Sequence, residues 1–463
     1  MLSPFTWLSG RRLLAVLLAS QIAQAPVHAY QLDFSDRSSL EHAASQTEWA
    51  AMSWYGGNES GQIPGAFPEK WWEGAALFHS ALQYWYTTGD TTYNDIVKKG
   101  MQHQAGKHGN YMPSNYSSFL GYDDQVFWGL ASMSAAEWKL EDVEDGFSWL
   151  SLAQGVFNFQ SAAWDETKCG GGLRWQIFPY QAGYVIKNSI SNGGFFQLAA
   201  RLARYTHNAT YAEWAEKAWD WSVDSLLVNT KTWNVGDTVN INDNCTSLGN
   251  LQWSYNYGTY LAGAAYMEAY TNGTVPKWTE AVEGLLRQTF KTFFPEKYGG
   301  NTISEVTCEP KMICDNNQIL FKGYVSSWLA LTGLLLPQAH DKIKPKLKGS
   351  AISLAESCDG MGNNTCGVRW WPKQWDGWNG MEEMISAACG FSSNLLLQKG
   401  KSPVTTFTGG NSTSNPNAGS GGGAKDGSTL EPVTTGDKAG AGILTAFFIP
   451  GWVALMAWMV LGG

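Results

Sequence analysis

No run of lysine or arginine long enough to follow a phosphate backbone occurs in this 463-residue chain, and a formal net charge of −9 supplies no basic field. Nucleic acid is thereby excluded as a partner. The chain has no His-Glu-x-x-His and no Gly-x-Ser-x-Gly, so it offers neither a zincin helix nor a nucleophile elbow. Gly100 to His108 imitates a phosphate loop only superficially: the spacing of its glycines is wrong, and His108 stands where Ser or Thr belongs. The seven cysteines show no double Cys-x-x-Cys spacing. No metal and no cofactor are therefore expected.

The two ends read as processing signals. Arg11-Arg12, the apolar run Leu13 to Ala19 and the small residues of Val27-His28-Ala29 predict a signal peptide over residues 1–29. Ile443 to Leu461 is an uncharged apolar stretch, interrupted by Pro450-Gly451, with nothing basic after it. A polar spacer and small residues such as Asp426-Gly427-Ser428 precede it, the pattern of a GPI-attachment signal over 443–463; an ordinary membrane helix is the other reading. Residues 401–442, rich in Gly, Ser, Thr, Asn and Pro, predict a flexible stalk carrying the attachment site. The chain is thus expected to be exported through the ER and held at the outer face of the plasma membrane or in a cell wall. Residues 30–400 remain for one large globular domain.

In an exported chain, cysteines pair. Cys308 with Cys314 and Cys358 with Cys366 can close short rings, Cys169 with Cys245 a longer one, and Cys389, in an apolar run, reads as a buried free thiol. Asn58, Asn115, Asn208, Asn244, Asn272, Asn363 and Asn411 each open an N-glycosylation acceptor. Twenty-four tryptophans favour a carbohydrate ligand, because indole faces stack on the C–H faces of sugar rings, although core packing claims many of them.

Helical spacing recurs in pairs. Positions 71 to 85 lead through Thr88-Gly89-Asp90 to a second helix, Phe195 to Leu202 through Thr206-His207-Asn208 to another, and Tyr257 to Ala264 through Thr271-Asn272-Gly273 to a third. Ser38 to Trp54, a helix from Asp123, Gln318 to Leu336 and Met381 to Gln398 supply further members. Six or so hairpins closing into a ring predict an all-α toroid, with an open solenoid as the alternative. The irregular stretches Gly170 to Gln176 and Trp233 to Gln252 read as functional loops.

The chemistry centres on Asp123-Asp124, between Tyr122 and Phe127-Trp128 at a helix start. Glycosidic cleavage uses two carboxyl groups, one to protonate the leaving oxygen and one to attack the anomeric carbon or activate water. The same residues also suit a helix cap and first-turn acid, or, more weakly, a calcium site.

Tyr122-Asp123-Asp124-Gln125 with Phe127-Trp128, Lys187 to Asn192 with Phe195 to Leu202, and Trp253 to Gly258 together resemble glycoside hydrolase family 76, the endo-α-1,6-mannanases, in particular its fungal cell-wall Dcw and Dfg branch. The resemblance covers roughly residues 35–400 and implies an (α/α)6 barrel and a retaining mechanism with Asp123 as nucleophile and Asp124 as general acid/base. It implies an α-1,6-mannose-containing donor, mannan or the mannose core of GPI glycans, with cell-wall glucan as acceptor of GPI-anchored proteins. Asn188, Asn192 and Asn256 match polar pocket positions, or alternatively cap helices. Trp128, Trp175 and Tyr255 are candidate stacking platforms, or core residues; Trp71 and Trp72 are weaker ones. A non-catalytic mannan-binding wall protein is the rival function.

Overall fold

The computed structural model describes residues 30–420 except 68, 69, 115, 117 and 118, together with scattered positions from 438 onward. Residues 1–29, expected to be a signal peptide, and Asn115 lie outside the described residues, as does most of 421–463. Among the described residues, no helix is long and apolar enough to cross a membrane.

Twelve α-helices are described: α1 (Arg37–Met52), α2 (Trp72–Thr88), α3 (Asn94–Gln104), α4 (Tyr122–Glu137), α5 (Trp149–Ala162), α6 (Ser189–Thr206), α7 (Ala209–Asp224), α8 (Ser254–Tyr270), α9 (Pro276–Phe293), α10 (Asn316–Leu335), α11 (Pro337–Glu356) and α12 (Met381–Lys399). The even-numbered helices contact one another in the closed order α2, α4, α6, α8, α10, α12 and back to α2. The odd-numbered helices pack outside them, so the chain is an (α/α)6 barrel. The three expected turns each reverse through a left-handed residue, Gly89, His207 or Asn272. Sequence periodicity did not reveal α5 or α11: α11 is lysine-rich and carries Pro345 in its interior.

Ring position explains the residue types. Inner helices are buried on every side, as in α6, where sixteen of eighteen residues are buried. The outer helix α9 buries one stripe, Trp278, Ala281, Val282, Leu285, Leu286 and Phe293. Close approach of inner helices requires glycine. A Cβ on Gly263 of α8 would lie 2.5 Å from the Phe196 ring of α6, and one on Gly194 of α6 would lie 2.6 Å from Val126 of α4. The barrel interior also holds a charge pair away from the cleft: Arg201 Nη2 lies 2.7 Å from Glu137 Oε2, both side chains fully buried, and the Tyr266 hydroxyl donates to the same oxygen at 2.8 Å.

A two-stranded antiparallel ribbon, β1 (Ile186–Asn188) and β2 (Thr238–Asn240), pairs Lys187 with Val239. It ties the segment after the Gly170–Gln176 loop to the Trp233–Gln252 loop, and the Cys169–Cys245 disulfide ties the residue just before the first loop to the second. Cys308–Cys314 and Cys358–Cys366 are also bonded, and Cys389 is a buried free thiol. The other six glycosylation acceptors, Asn58, Asn208, Asn244, Asn272, Asn363 and Asn411, are exposed.

Of the expected stalk, residues 401–442, the part at 403–420 lies as a strap along α4, α5 and α6. Arg204 donates to the Pro403 carbonyl at 2.8 Å, and Val404 N donates to the Glu137 carbonyl. Ser412 Oγ and Thr413 N donate to Asp142, Asn415 N donates to Gln154, and Asn158 Nδ2 donates to the Pro416 and Ala418 carbonyls. A segment poor in apolar residues cannot form a core, but it can be held when its backbone polar groups find fixed partners.

Candidate active site

All six inner helices run the same way, so their N-termini gather at one end of the barrel. There a cleft of about 600 Å3 is lined by Trp71, Trp72, Asp123, Asp124, Asn188 and Tyr255 from helix starts, and by Trp175, Gln176, Asp237 and Thr238 from the loops around the ribbon. The positive helix ends favour anions there.

The start of α4 fixes the two carboxylates. Gly121 is the N-cap, and its N–H donates to Asp124 Oδ2 at 2.7 Å, the one half of a capping box that a glycine allows. Asp123 Oδ1 accepts the Asp124 N–H at 3.0 Å, and the Asp123 carboxylate also accepts hydrogen bonds from Trp175 and from its own backbone N–H. Trp175 is held in turn: its N–H donates to the Ile186 carbonyl, its carbonyl accepts from Tyr122 N, and its ring lies on Gly183, where a Cβ would come within 2.5 Å.

Burial raises both carboxyls, Asp124 to about 6 and Asp123 well above the usual carboxylate range, with the charge of Asp124 adding to the effect at Asp123. They titrate as a coupled pair that holds one proton between the lower step, near 6, and the higher one. Burial makes Asp123 the more reluctant anion, whereas hydrogen bonding makes it the better one. Hydrogen bonding decides, because a bound sugar desolvates both groups alike while the fixed N–H donors keep discriminating between them. The arrangement thus presents a carboxylate beside a carboxylic acid in an aromatic cleft.

The remaining candidates divide. Trp175 and Tyr255 line the cleft, with Tyr255 stacked on Phe321 at 3.6 Å between ring centroids. Asn188 lines it too, although its side chain also caps α6 by accepting from Ser191 N. Trp128 is corrected to a core residue: it has no exposure and packs between Trp71 and Tyr111 beneath the cleft. Trp71 and Trp72 take the wall positions instead, anchored by indole hydrogen bonds to Gln104 and Asn317. Asn192 is likewise a structural residue: Leu173 N donates to its Oδ1, and its Nδ2 donates to the Leu173 and Asn188 carbonyls. Asn256 is buried and does not line the cleft; its Nδ2 donates to Asp237 Oδ1 at 3.0 Å. Asp237 is a cleft carboxylate that sequence reading missed, as is Asp315; burial raises the Asp237 pKa against hydrogen bonds from Asn256 and Trp253. Its loop was legible as functional, but no local pattern distinguishes this aspartate. Among the described residues, no group of three or more His, Cys, Asp or Glu is placed to hold a metal ion.

Comparison with known proteins agrees with this geometry. The profile of glycosyl hydrolase family 76 matches residues 39–406. The chain is 39% identical over 455 residues to the mannan endo-1,6-alpha-mannosidase DCW1 of Saccharomyces cerevisiae, covering 97% of this chain and 98% of that one. It is 40% identical over 441 residues to the protein of the same name from Candida albicans, covering 94% and 96%. Among solved structures, Dfg5 from Chaetomium thermophilum, in complex with glucosamine, is similar with a TM-score of 0.80 and 38% identity, over 84% of this chain and 97% of that one. An inactive variant of an α-1,6-mannanase from Salegentibacter sp. HEL1_6 shares the fold at 17% identity and a TM-score of 0.62, over 77% and 99%. On the family match, the identities and the shared barrel, this chain belongs to glycosyl hydrolase family 76.

Proposed function

We propose that this chain is an endo-α-1,6-mannosidase acting with retention of configuration, Asp123 being the nucleophile and Asp124 the general acid/base. The observation that carries the proposal is the adjacent pair lining the cleft, with three N–H donors at Asp123 and one at Asp124. In the first step Asp124 protonates the glycosidic oxygen as Asp123 attacks the anomeric carbon; the C–O bond breaks and its electron pair stays with the departing sugar oxygen. In the second, anionic Asp124 takes the proton of an acceptor hydroxyl, which attacks the anomeric carbon and displaces Asp123. Water as acceptor gives hydrolysis; a sugar hydroxyl gives transfer. Asp237, oriented by Asn256 and Trp253, accepts hydrogen bonds from sugar hydroxyls, while Trp175 and Tyr255 stack on ring faces.

The names of the fungal relatives support α-1,6-mannan as the substrate class. The finer reading is transfer: the donor is the mannose core of a GPI glycan, the acceptor is cell-wall glucan, and the enzyme is itself held at the membrane by a GPI anchor or lodged in the wall. The test uses Asp123→Asn and Asp124→Asn with α-1,6-mannotetraose, following reducing ends and, by NMR, the anomer first released. Both variants should lose more than about 10³-fold in kcat with the α-anomer as first product in wild type. Wild-type rates in both variants would remove the assignment, and a β-anomer would remove retention.

A further inference from the structure

The Tyr122–Asp123 peptide group carries one of the donors that reach the nucleophile, the N–H of Asp123 itself, and the carbonyl of the same peptide is also held. Gln160, in the last turn of the outer helix α5, donates from Nε2 to the Tyr122 carbonyl at 2.8 Å and to Gln125 Oε1 at 3.0 Å. Gln125 donates in turn from Nε2 to the Asn110 carbonyl at 2.8 Å. That acceptor is fixed against α5. Asn110 N donates to the Ala105 carbonyl at 3.1 Å, and a Cβ on Gly155 of α5 would come within 2.2 Å of the Gly109 carbonyl oxygen. The sense of both amides follows. A carbonyl only accepts, so Gln125 presents its NH2 to Asn110 and its oxygen to Gln160, and Gln160 presents its NH2 to Gln125 and Tyr122.

Packing alone does not call for an amide at this place. Gln125 and Gln160 have no exposure, and Val156, Phe157 and Phe159 of the same helix are buried apolar residues. Gln160 Oε1 is buried without a hydrogen-bond partner among the described residues, so the amide carries a desolvation cost that methionine, of similar length, avoids. What the amide supplies is polarisation of one peptide. A hydrogen bond to a peptide carbonyl strengthens the N–H of the same group as a donor, by about 10–30%. The donor strengthened here is the one directed at the Asp123 carboxylate.

We infer that Gln160, oriented by Gln125, is a positioning residue for the nucleophile: it holds the plane of the Tyr122–Asp123 peptide and so aims that N–H at the Asp123 carboxylate. The inference rests on the reading of Asp123 as nucleophile and extends the site by one layer, to an outer helix none of whose residues lines the cleft. Gln160 donates to two uncharged acceptors. Replacing its amide therefore removes no charge from the cleft, whose charged groups are Lys70, Asp123, Asp124, Asp237 and Asp315.

The experiment compares Gln160→Met, Gln125→Met and Gln83→Met in steady-state kinetics on α-1,6-mannotetraose across pH, with thermal melts of the same intact proteins. Gln83, toward the far end of α2, matches Gln160 in full burial and in an unpartnered Oε1, and donates instead to Ser392 Oγ at 2.7 Å. Gln160→Met should lower kcat about tenfold with KM within about twofold. It should also move the rise of kcat/KM near pH 6 upward by about 0.5, because a weaker donor stabilises the Asp123 anion less. Gln125→Met, which leaves Gln160 free to turn, should move both quantities the same way by less. Gln83→Met should leave kcat and the pH limb unchanged, with a thermal midpoint within a few degrees of that of Gln160→Met. Wild-type kcat with an unshifted limb in folded Gln160→Met overturns the inference, as does an equal loss and shift in Gln83→Met. If Gln160→Met does not fold, Gln125→Met decides by the same two readouts. Failure of the catalytic reading is separate: it would appear as wild-type turnover in Asp123→Asn, whatever the glutamine variants give.

Discussion

Gly121→Ala isolates the placement of the nucleophile from its chemistry. Gly121 has φ −95° and ψ 166°, a conformation alanine adopts without strain, so the backbone need not change. A Cβ built there lies 2.3 Å from Asp123 Oδ1 and 3.0 Å from the Trp175 carbonyl oxygen, where ordinary contact begins at 3.4 Å. The Trp175 carbonyl is fixed by the Tyr122 N–H, so the Asp123 carboxylate must yield, swinging by about 1 Å and lengthening its bonds to the Asp124 N–H and the Trp175 indole. A displacement of about 1 Å at a reacting group costs on the order of 10²-fold in rate, whereas replacing an N-cap glycine by alanine costs about 1 kcal/mol of stability. Steady-state kinetics on α-1,6-mannotetraose should show kcat falling about 10²-fold, with the thermal midpoint lowered by only a few degrees. Wild-type kcat in a folded Gly121→Ala protein would refute the placement of Asp123 as nucleophile, and activity lost in step with unfolding would refute the local cause.

Because the active pair is one carboxylate beside one carboxylic acid, and the lower of its two coupled titrations lies at about 6 with the other well above it, kcat/KM should rise as pH rises through about 6 and fall only at higher pH, limbs readable from a pH–rate profile with the same substrate. Arg201→Met leaves the fully buried Glu137 with the Tyr266 hydroxyl but no cation, and chemical denaturation should report a loss of about 3–5 kcal/mol. Truncation after residue 402 removes the strap's bonds to Glu137, Tyr205, Asp142, Gln154 and Asn158 and should lower the thermal midpoint by several degrees, while truncation after 420 should not. Burial also raises Glu48 and Glu305 to about 8 in the folded protein, so it binds more protons than the unfolded chain between their unfolded pKa values and pH 8. The stability they contribute is complete below pH 4 and is lost as pH rises through 8, so the thermal midpoint should decline over pH 5–8.

The sequence by itself determined three of the hairpins, the carboxylate pair and the class of ligand. Each is written locally: helical spacing with a left-handed turn residue, two acids at one helix start, and an aromatic content beyond what solubility favours. What it could not assign was direction. Trp71, Trp72 and Trp128 are alike as letters; ring closure turns the first two toward the cleft and places the third beneath it. Asn192 and Asn256 look like pocket amides, but the neighbouring backbone of Leu173 and the carboxylate of Asp237 consume them. Asp237 lies 113 positions beyond Asp124 in the chain and reaches it only through the ribbon and the Cys169–Cys245 bond. The strap read as a stalk for the same reason, since hydrogen-bond partners hundreds of residues away leave no local trace. Local pattern fixes which groups are present, and closure of the barrel decides which of them face one another.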